Sequence, residues 1–198
     1  MDKKSYHHGD LKQQLIENGL LLLNQKGLEG FSLRKVASMC GVSHTAPYKH
    51  FRDKDELVNA INEEVSKKFY SALSEVASLY KNAPKLQIIE IGKAYVRFMV
   101  ENPEYLKFMF LSDNPYSIKI KDNIFYECKE NSAFSVFIHS SKKYFEIINL
   151  DKDLYIDKIL SMWSLVHGMA ILISKKSIEY RGNYLKLTER IIRSSLEI

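Results

Sequence analysis

Residues 31–51 hold two short helical segments with a three-residue break between them, and that break dictates how the two must lie. Val36, Ala37 and Cys40 fall on one face of the first segment, 33–40. Ser32 precedes it as an N-cap, a hydroxyl that accepts from the helix's unpaired N–H groups. Ala37 is small enough for a neighbouring helix to approach closely. The break is Gly41-Val42-Ser43. Glycine takes the positive φ that a tight turn requires, where a Cβ would be strained. Val42 is placed to plug the core beneath the turn, and Ser43 to cap the second segment, 44–50. Pro47 sits in the first turn of that segment, where a missing N–H costs little. Two short helices joined by a glycine-containing tight turn form a helix-turn-helix. The second helix then presents His44, Thr45, Tyr48 and Lys49 outward, each basic or able to hydrogen-bond.

That set of side chains suits duplex DNA. A helix entering the major groove reads base edges with its N-terminal residues. Thr45 is expected at a thymine methyl or a base edge, and His44 and Lys49 at base acceptors or phosphates. Ser43, Tyr48 and His50 complete this face, the latter two facing backbone phosphates. Asp53 caps the next helix, and Lys54 lies in its first turn beside free N–H groups, a good place to hold a phosphate. Ser32 and Arg34, at the start of the first segment, are further phosphate candidates. The charge distribution agrees. Up to Lys54 there are nine Lys and Arg against five Asp and Glu, so +4 of the chain's net +5 lies in its first quarter.

The rest of the chain carries helical spacing almost throughout. Lys81-Asn82-Ala83-Pro84 reads as a linker, and a helix must end near Asn102, before Pro103. A short aromatic-rich helix over 104–111, a loop over 112–117 and one or two helices over 118–148 are expected. Ile156, Ile159, Leu160, Trp163, His167 and Ala170 form a helical stripe, and Leu185, Leu187, Ile191, Ile192 and Leu196 line the last helix. No strand alternation of useful length appears, so the predicted class is all-α. A chain of 198 residues with 45% hydrophobic residues can bury a core without disulfides or a structural metal. Its two cysteines, Cys40 and Cys128, show no zinc spacing and suit a reducing cytoplasm. His7-His8 faces two ways on a helix and is a poor chelate; no metal and no cofactor are expected. The longest apolar stretch, 162–173, falls short of the ~20 residues of a membrane span.

The string Gly41-Val42-Ser43, Tyr48, His50-Phe51, Lys54 and Leu57, preceded by Tyr6-His7-His8-Gly9-Asp10-Leu11 and by Gly27 and Phe31, resembles the TetR/AcrR family of bacterial transcriptional regulators. Pro47 departs from the pattern at a position where many relatives carry Leu. Trp163-Ser-Leu-Val-His167-Gly168 looks like the signature of TetR-like C-terminal domains named for Trp-His-Gly. The resemblance implies about nine helices: a DNA-binding domain over 1–56, a linking helix to about 80, and a C-terminal domain over 57–198. It further implies a homodimer on a palindromic operator. Many members are repressors released by a small ligand in the C-terminal domain, and a largely apolar ligand is expected here. The last two helices usually make the dimer interface, to which Trp163, Gly168, Ile171, Leu187 and Ile191 are assigned.

Aromatic residues are dense in the C-terminal part. Tyr95, Phe98, Met99, Phe108, Met109, Phe134, Phe137, Trp163 and His167 read either as a pocket lining or as ordinary core. Trp163 and His167, i and i+4 on one face, also read as a structural contact. Gly168 inside a helix costs roughly 1 kcal/mol against Ala, which a close helix crossing would explain. An enzyme is the opposing reading, but there is no GxSxG, HExxH or P-loop and no interpretable Cys–His pairing. A dimeric regulator that senses no small molecule is the nearer alternative.

Overall fold

The computed structural model describes residues 8–112, 117–122, 124–126 and 129–196. The expectations for His7 and Cys128 lie outside them, as does the side chain of His8. The described residues form eight α-helices, two 3-10 turns and one small hairpin. They run α1 (His8–Gly30), α2 (Leu33–Met39), a 3-10 turn (Ala46–Lys49), α3 (Lys54–Leu79), α4 (Pro84–Glu101) and α5 (Pro103–Phe110). Then come β1 (Lys119–Lys121), β2 (Ile124–Tyr126), α6 (Ala133–Ile147), a 3-10 turn (Lys152–Leu154), α7 (Tyr155–Ser174) and α8 (Tyr184–Leu196). The chain is all-α apart from the hairpin.

The contacts divide the chain into two units. The first is Met1–Val65 with Lys107–Pro115, and the second is Ser66–Leu106 with Tyr116–Ile198. Helices α3 and α5 therefore each contribute residues to both.

In the first unit, Leu11, Leu15, Leu22, Leu23, Leu33, Val36, Ala37, Phe51, Leu57 and Ile61 form the core. The first long helix bends at Gly27, whose φ of 66° leaves the helical path. In the second unit α4 is the central element and packs against α6, α7 and α8. Gln87 is buried and donates to the Ala77 carbonyl at 2.5 Å, tying α4 to the end of α3. Lys93 bridges Glu90 at 2.7 Å and Glu189 of α8 at 2.9 Å, and Arg193 completes the network on Glu189. Burial pulls the Lys93 ammonium down, but its two carboxylates outweigh this and hold its pKa above the usual lysine range.

Two expectations are corrected here. The 118–148 stretch is not helical at its start: Ile120 pairs with Phe125 in an antiparallel hairpin, and helix begins only at Ala133, behind a Ser132–Ser135 capping box. With three residues per strand, the alternation was too short to read as periodicity. The apolar helix is also longer than its densest run, because Tyr155, Ile156 and Ile159 extend it. Residues 152–174 are long and apolar enough to cross a bilayer by length and composition, at a mean hydropathy of 1.4. Contacts with α4, α6 and α8 account for part of that apolarity.

Candidate nucleic-acid interface

Ser32 caps α2 by accepting from the Lys35 N–H at 3.3 Å. The helix ends in a Schellman turn: Val42 N–H reaches the Ala37 carbonyl at 3.0 Å and Gly41 N–H reaches Ser38 at 3.1 Å. Gly41 takes φ 68°, as the turn demands. Val42 lies half-buried beneath it. These bonds take up the Ala37 and Ser38 carbonyls near the end of α2 and turn the chain into the next segment.

The second segment is shorter than predicted. It is a single 3-10 turn, Ala46–Lys49, entered through a hydrogen-bonded turn at His44 and Thr45. It opens with i to i−3 bonds, Ala46 to Ser43 at 3.0 Å and Tyr48 to Thr45 at 3.2 Å, and closes with His50 and Phe51 both donating to the Pro47 carbonyl at 2.9 Å. Pro47 has no N–H to give the Ser43 carbonyl, which keeps the α-pattern from starting. Nor does Ser43 cap the turn. Its hydroxyl pairs with that of Thr45 at 3.1 Å, and the cap position, Thr45, has no side-chain cap bond.

The expected contact residues nevertheless come together on one segment. Ser43, His44, Thr45, Tyr48 and Lys49 are exposed, Tyr48 to 60%, while Pro47 and Phe51 are buried beneath them. His50 is half-buried, its ring tilted against Phe51 at 6.5 Å. Arg34 and Lys54 are exposed at the starts of α2 and α3. Asp53 accepts from the Glu56 N–H at 2.8 Å, as a cap for α3 should. Glu56 in turn accepts from the Arg52 backbone N–H at 2.6 Å and from its guanidinium at 3.2 Å. Those bonds hold the Glu56 carboxyl below the usual range. Lys35, basic and adjacent to Arg34, is directed elsewhere: its ammonium donates to the Gly30 carbonyl at 2.7 Å. No sequence signal separated it from its neighbour.

The aromatic residues assigned to a pocket divide between the units. Phe108 and Met109 fall in the first, and the other seven in the second. Those seven include a hydrogen-bonded centre. Tyr95 is buried and its hydroxyl lies 2.7 Å from His167 Nδ1. The Trp163 indole N–H also bonds the Tyr95 oxygen. Indole only donates, and burial raises the phenol's pKa so that it keeps its proton. The phenol and the imidazole share this bond, the phenol donating when the ring carries its proton on Nε2. Burial holds His167 below the usual histidine range. Around this centre Phe134 meets Trp163 edge-on at 5.9 Å, and Phe69 lies between Tyr95 and Phe98 at 5.3 and 5.0 Å.

Residues 15–61 match the family "Bacterial regulatory proteins, tetR family". Residues 88–194 match "Tetracyclin repressor-like, C-terminal domain", a span that includes Trp163, His167 and Gly168. The chain is 23% identical over 156 residues to "Probable HTH-type transcriptional regulator YttP" of Bacillus subtilis, spanning 76% of this chain and 74% of that protein. A protein of unknown function from Rhodococcus sp. RHA1 has the same fold, with a TM-score of 0.71 at 22% identity over 98% of this chain and 97% of that one. So does Bacillus subtilis FadR, solved in complex with stearoyl-CoA, with a TM-score of 0.68 at 10% identity over 93% and 97%. With a helix-turn-helix at one end and a tetracyclin-repressor-like body over more than half its length, the chain belongs to the TetR family of DNA-binding transcriptional regulators and is not an enzyme.

Proposed function

We propose that the protein is a cytoplasmic repressor that binds a palindromic operator as a homodimer and leaves it when a small, largely apolar molecule binds the helical body. In this reading residues 1–56 read DNA, the helix to about residue 80 links, and residues 57–198 sense and dimerise. The observation that carries it is the exposed row Ser43, His44, Thr45, Tyr48 and Lys49 on a turn whose other side is buried. Thr45 and His44 contact base edges, Lys49 a base acceptor or phosphate, and Tyr48 and His50 phosphates. Lys54, Arg34 and Ser32 hold the flanking backbone. Lys54→Ala is expected to weaken binding to all duplexes alike and to reduce the salt slope by about one phosphate. Thr45→Ala is expected to cost affinity mainly for the preferred sequence. Equilibrium titration against matched and scrambled duplexes over a salt series checks both. An unchanged Lys54→Ala slope would remove that residue from the interface.

Dimerisation through α7 and α8 is supported by surface that the single chain does not use. In the most apolar window of α7 only 33% of the residues are buried. A Cβ placed on Gly168 would meet nothing within 4 Å among the described residues. A second copy supplies the crossing that the glycine calls for, with Trp163, Ile171, Leu187 and Ile191 around it. Two reading turns about 34–36 Å apart would then match one turn of duplex.

Ligand response is supported by the aromatic centre around Tyr95, Trp163 and His167, and by the stearoyl-CoA found in FadR. A long apolar chain suits an aromatic surface with few polar groups. Linkage requires that DNA weaken an inducer by the factor with which the inducer weakens DNA. Reciprocal titration with an acyl-CoA tests this. Equal affinity for free and DNA-bound protein would rule that compound out as the inducer.

A further inference from the structure

Lys107 is the one basic residue of α5, and it lies far in sequence from the residues expected to touch DNA. It nonetheless belongs to the same unit as they do, since Lys107–Pro115 clusters with Met1–Val65. Its ammonium donates to the backbone carbonyl of Asn24. Asn24 is buried, 8% exposed, and stands three residues before Gly27, where α1 leaves the helical path. The carbonyls at such an end lie at the negative pole of the helix, and an ammonium satisfies both the lone pair and the dipole. On the other side of the same bend, Lys35 donates to the Gly30 carbonyl at 2.7 Å. The elbow between α1 and α2 is thus held by two ammonium groups, one from α2 and one from α5.

The consequence is geometric. From the elbow the chain runs through Phe31, which is buried, and Ser32 straight into α2, whose Schellman turn delivers Ser43 to Lys49. The angle at which the reading turn is presented depends on the angle at the elbow. We propose that Lys107 is a positioning residue for DNA reading: it touches no DNA, and it sets the reading turn by fixing the end of α1 at Asn24. The proposal rests on the reading of residues 43–49 as the DNA-contacting row.

A phosphate-binding lysine and a positioning lysine are separable by salt. Losing a phosphate contact flattens the dependence of affinity on salt, whereas losing a positioning bond leaves the number of released counterions alone. The test uses the full chain and a duplex that the wild-type protein selects from a randomised pool, with a scrambled duplex as control. Lys107→Met keeps the aliphatic stem and removes the charge. It should lose about tenfold in affinity for the selected duplex, the low end of what one charge-assisted hydrogen bond is worth when fully expressed in binding. Its salt slope and its affinity for the scrambled duplex should stay those of the wild type. Lys107→Arg should restore most of the loss, and hydrogen exchange of the amides around residues 24–30 should quicken in Lys107→Met only. A flattened salt slope would make Lys107 a phosphate contact, and unchanged affinity for the selected duplex would leave it no role in reading; either overturns the proposal. If the wild-type protein selects no sequence at all, the reading of residues 43–49 fails instead, independently of Lys107.

Discussion

At the residue scale, the hydrogen-bonded run from Trp163 through Tyr95 to His167 sets a pH dependence with a definite sign. His167 is held neutral by burial, with its Nδ1 hydrogen-bonded to the Tyr95 hydroxyl. As pH falls through about 6.5, the unfolded chain takes up a proton that the folded chain still refuses. Stability should therefore decline from neutral pH downward, and level off once the folded His167 also protonates. Chemical denaturation at a series of pH values, compared between wild type and His167→Gln, measures this. The variant cannot titrate and should show a shallower decline; identical profiles would mean that His167 contributes nothing to acid sensitivity. Sequence spacing brought Trp163 and His167 onto one helical face, because i and i+4 neighbours are fixed by the backbone. Tyr95 was legible only as a buried aromatic. Its partnership with a residue 72 positions away depends on how α4 packs on α7, which periodicity does not encode.

At the element scale, helix ends were the most legible feature. Ser32 and Asp53 cap where their side chains predicted, and the linker and Pro103 mark real boundaries. The Gly41 turn was legible because only one residue type takes a positive φ without cost. A Cβ at Gly41 meets nothing within 4 Å, so substitution there is paid in backbone strain alone. Gly41→Ala should destabilise by about 1–2 kcal/mol, and Gly41→Asn by less, since Asn tolerates the left-handed region. Denaturant melts of the pair check this, and a larger Asn penalty would point to a clash that the geometry does not contain. The second reading segment was misjudged in length because Pro47 acts twice. It is tolerated in a first helical turn, as expected. In so short a segment it also removes the bond that would close an α-turn. The hairpin at Lys119–Tyr126 escaped notice for a related reason: three-residue strands leave no period to detect.

At the scale of the whole molecule, Gly168 decides between two origins for an interior helical glycine. Among the described residues no atom lies within 4 Å of a Cβ placed there. Gly168→Arg should thus leave the protomer folded and its helix intact, because a Cβ there meets no neighbour within 4 Å. In the proposed dimer it would place charge at the crossing of two α7 helices, where burying an unpaired ion is strongly unfavourable. Sedimentation should find the variant monomeric at concentrations where the wild type is dimeric. A dimeric Gly168→Arg would move the interface to another face. The charge distribution belongs to the same scale: most of the net +5 lies before Asp55, and a dimer presents it twice to one duplex.

In the proposed function the chain reads DNA as a dimer through the turn that follows Gly41. The most direct measurement is the affinity and stoichiometry of the intact protein on the intergenic DNA upstream of its own gene, over a salt series at low protein concentration. Two protomers per site, preference for that DNA over a scrambled duplex, and a log-linear fall in affinity with salt are expected. Absence of binding at low salt, or binding without sequence preference, would contradict it.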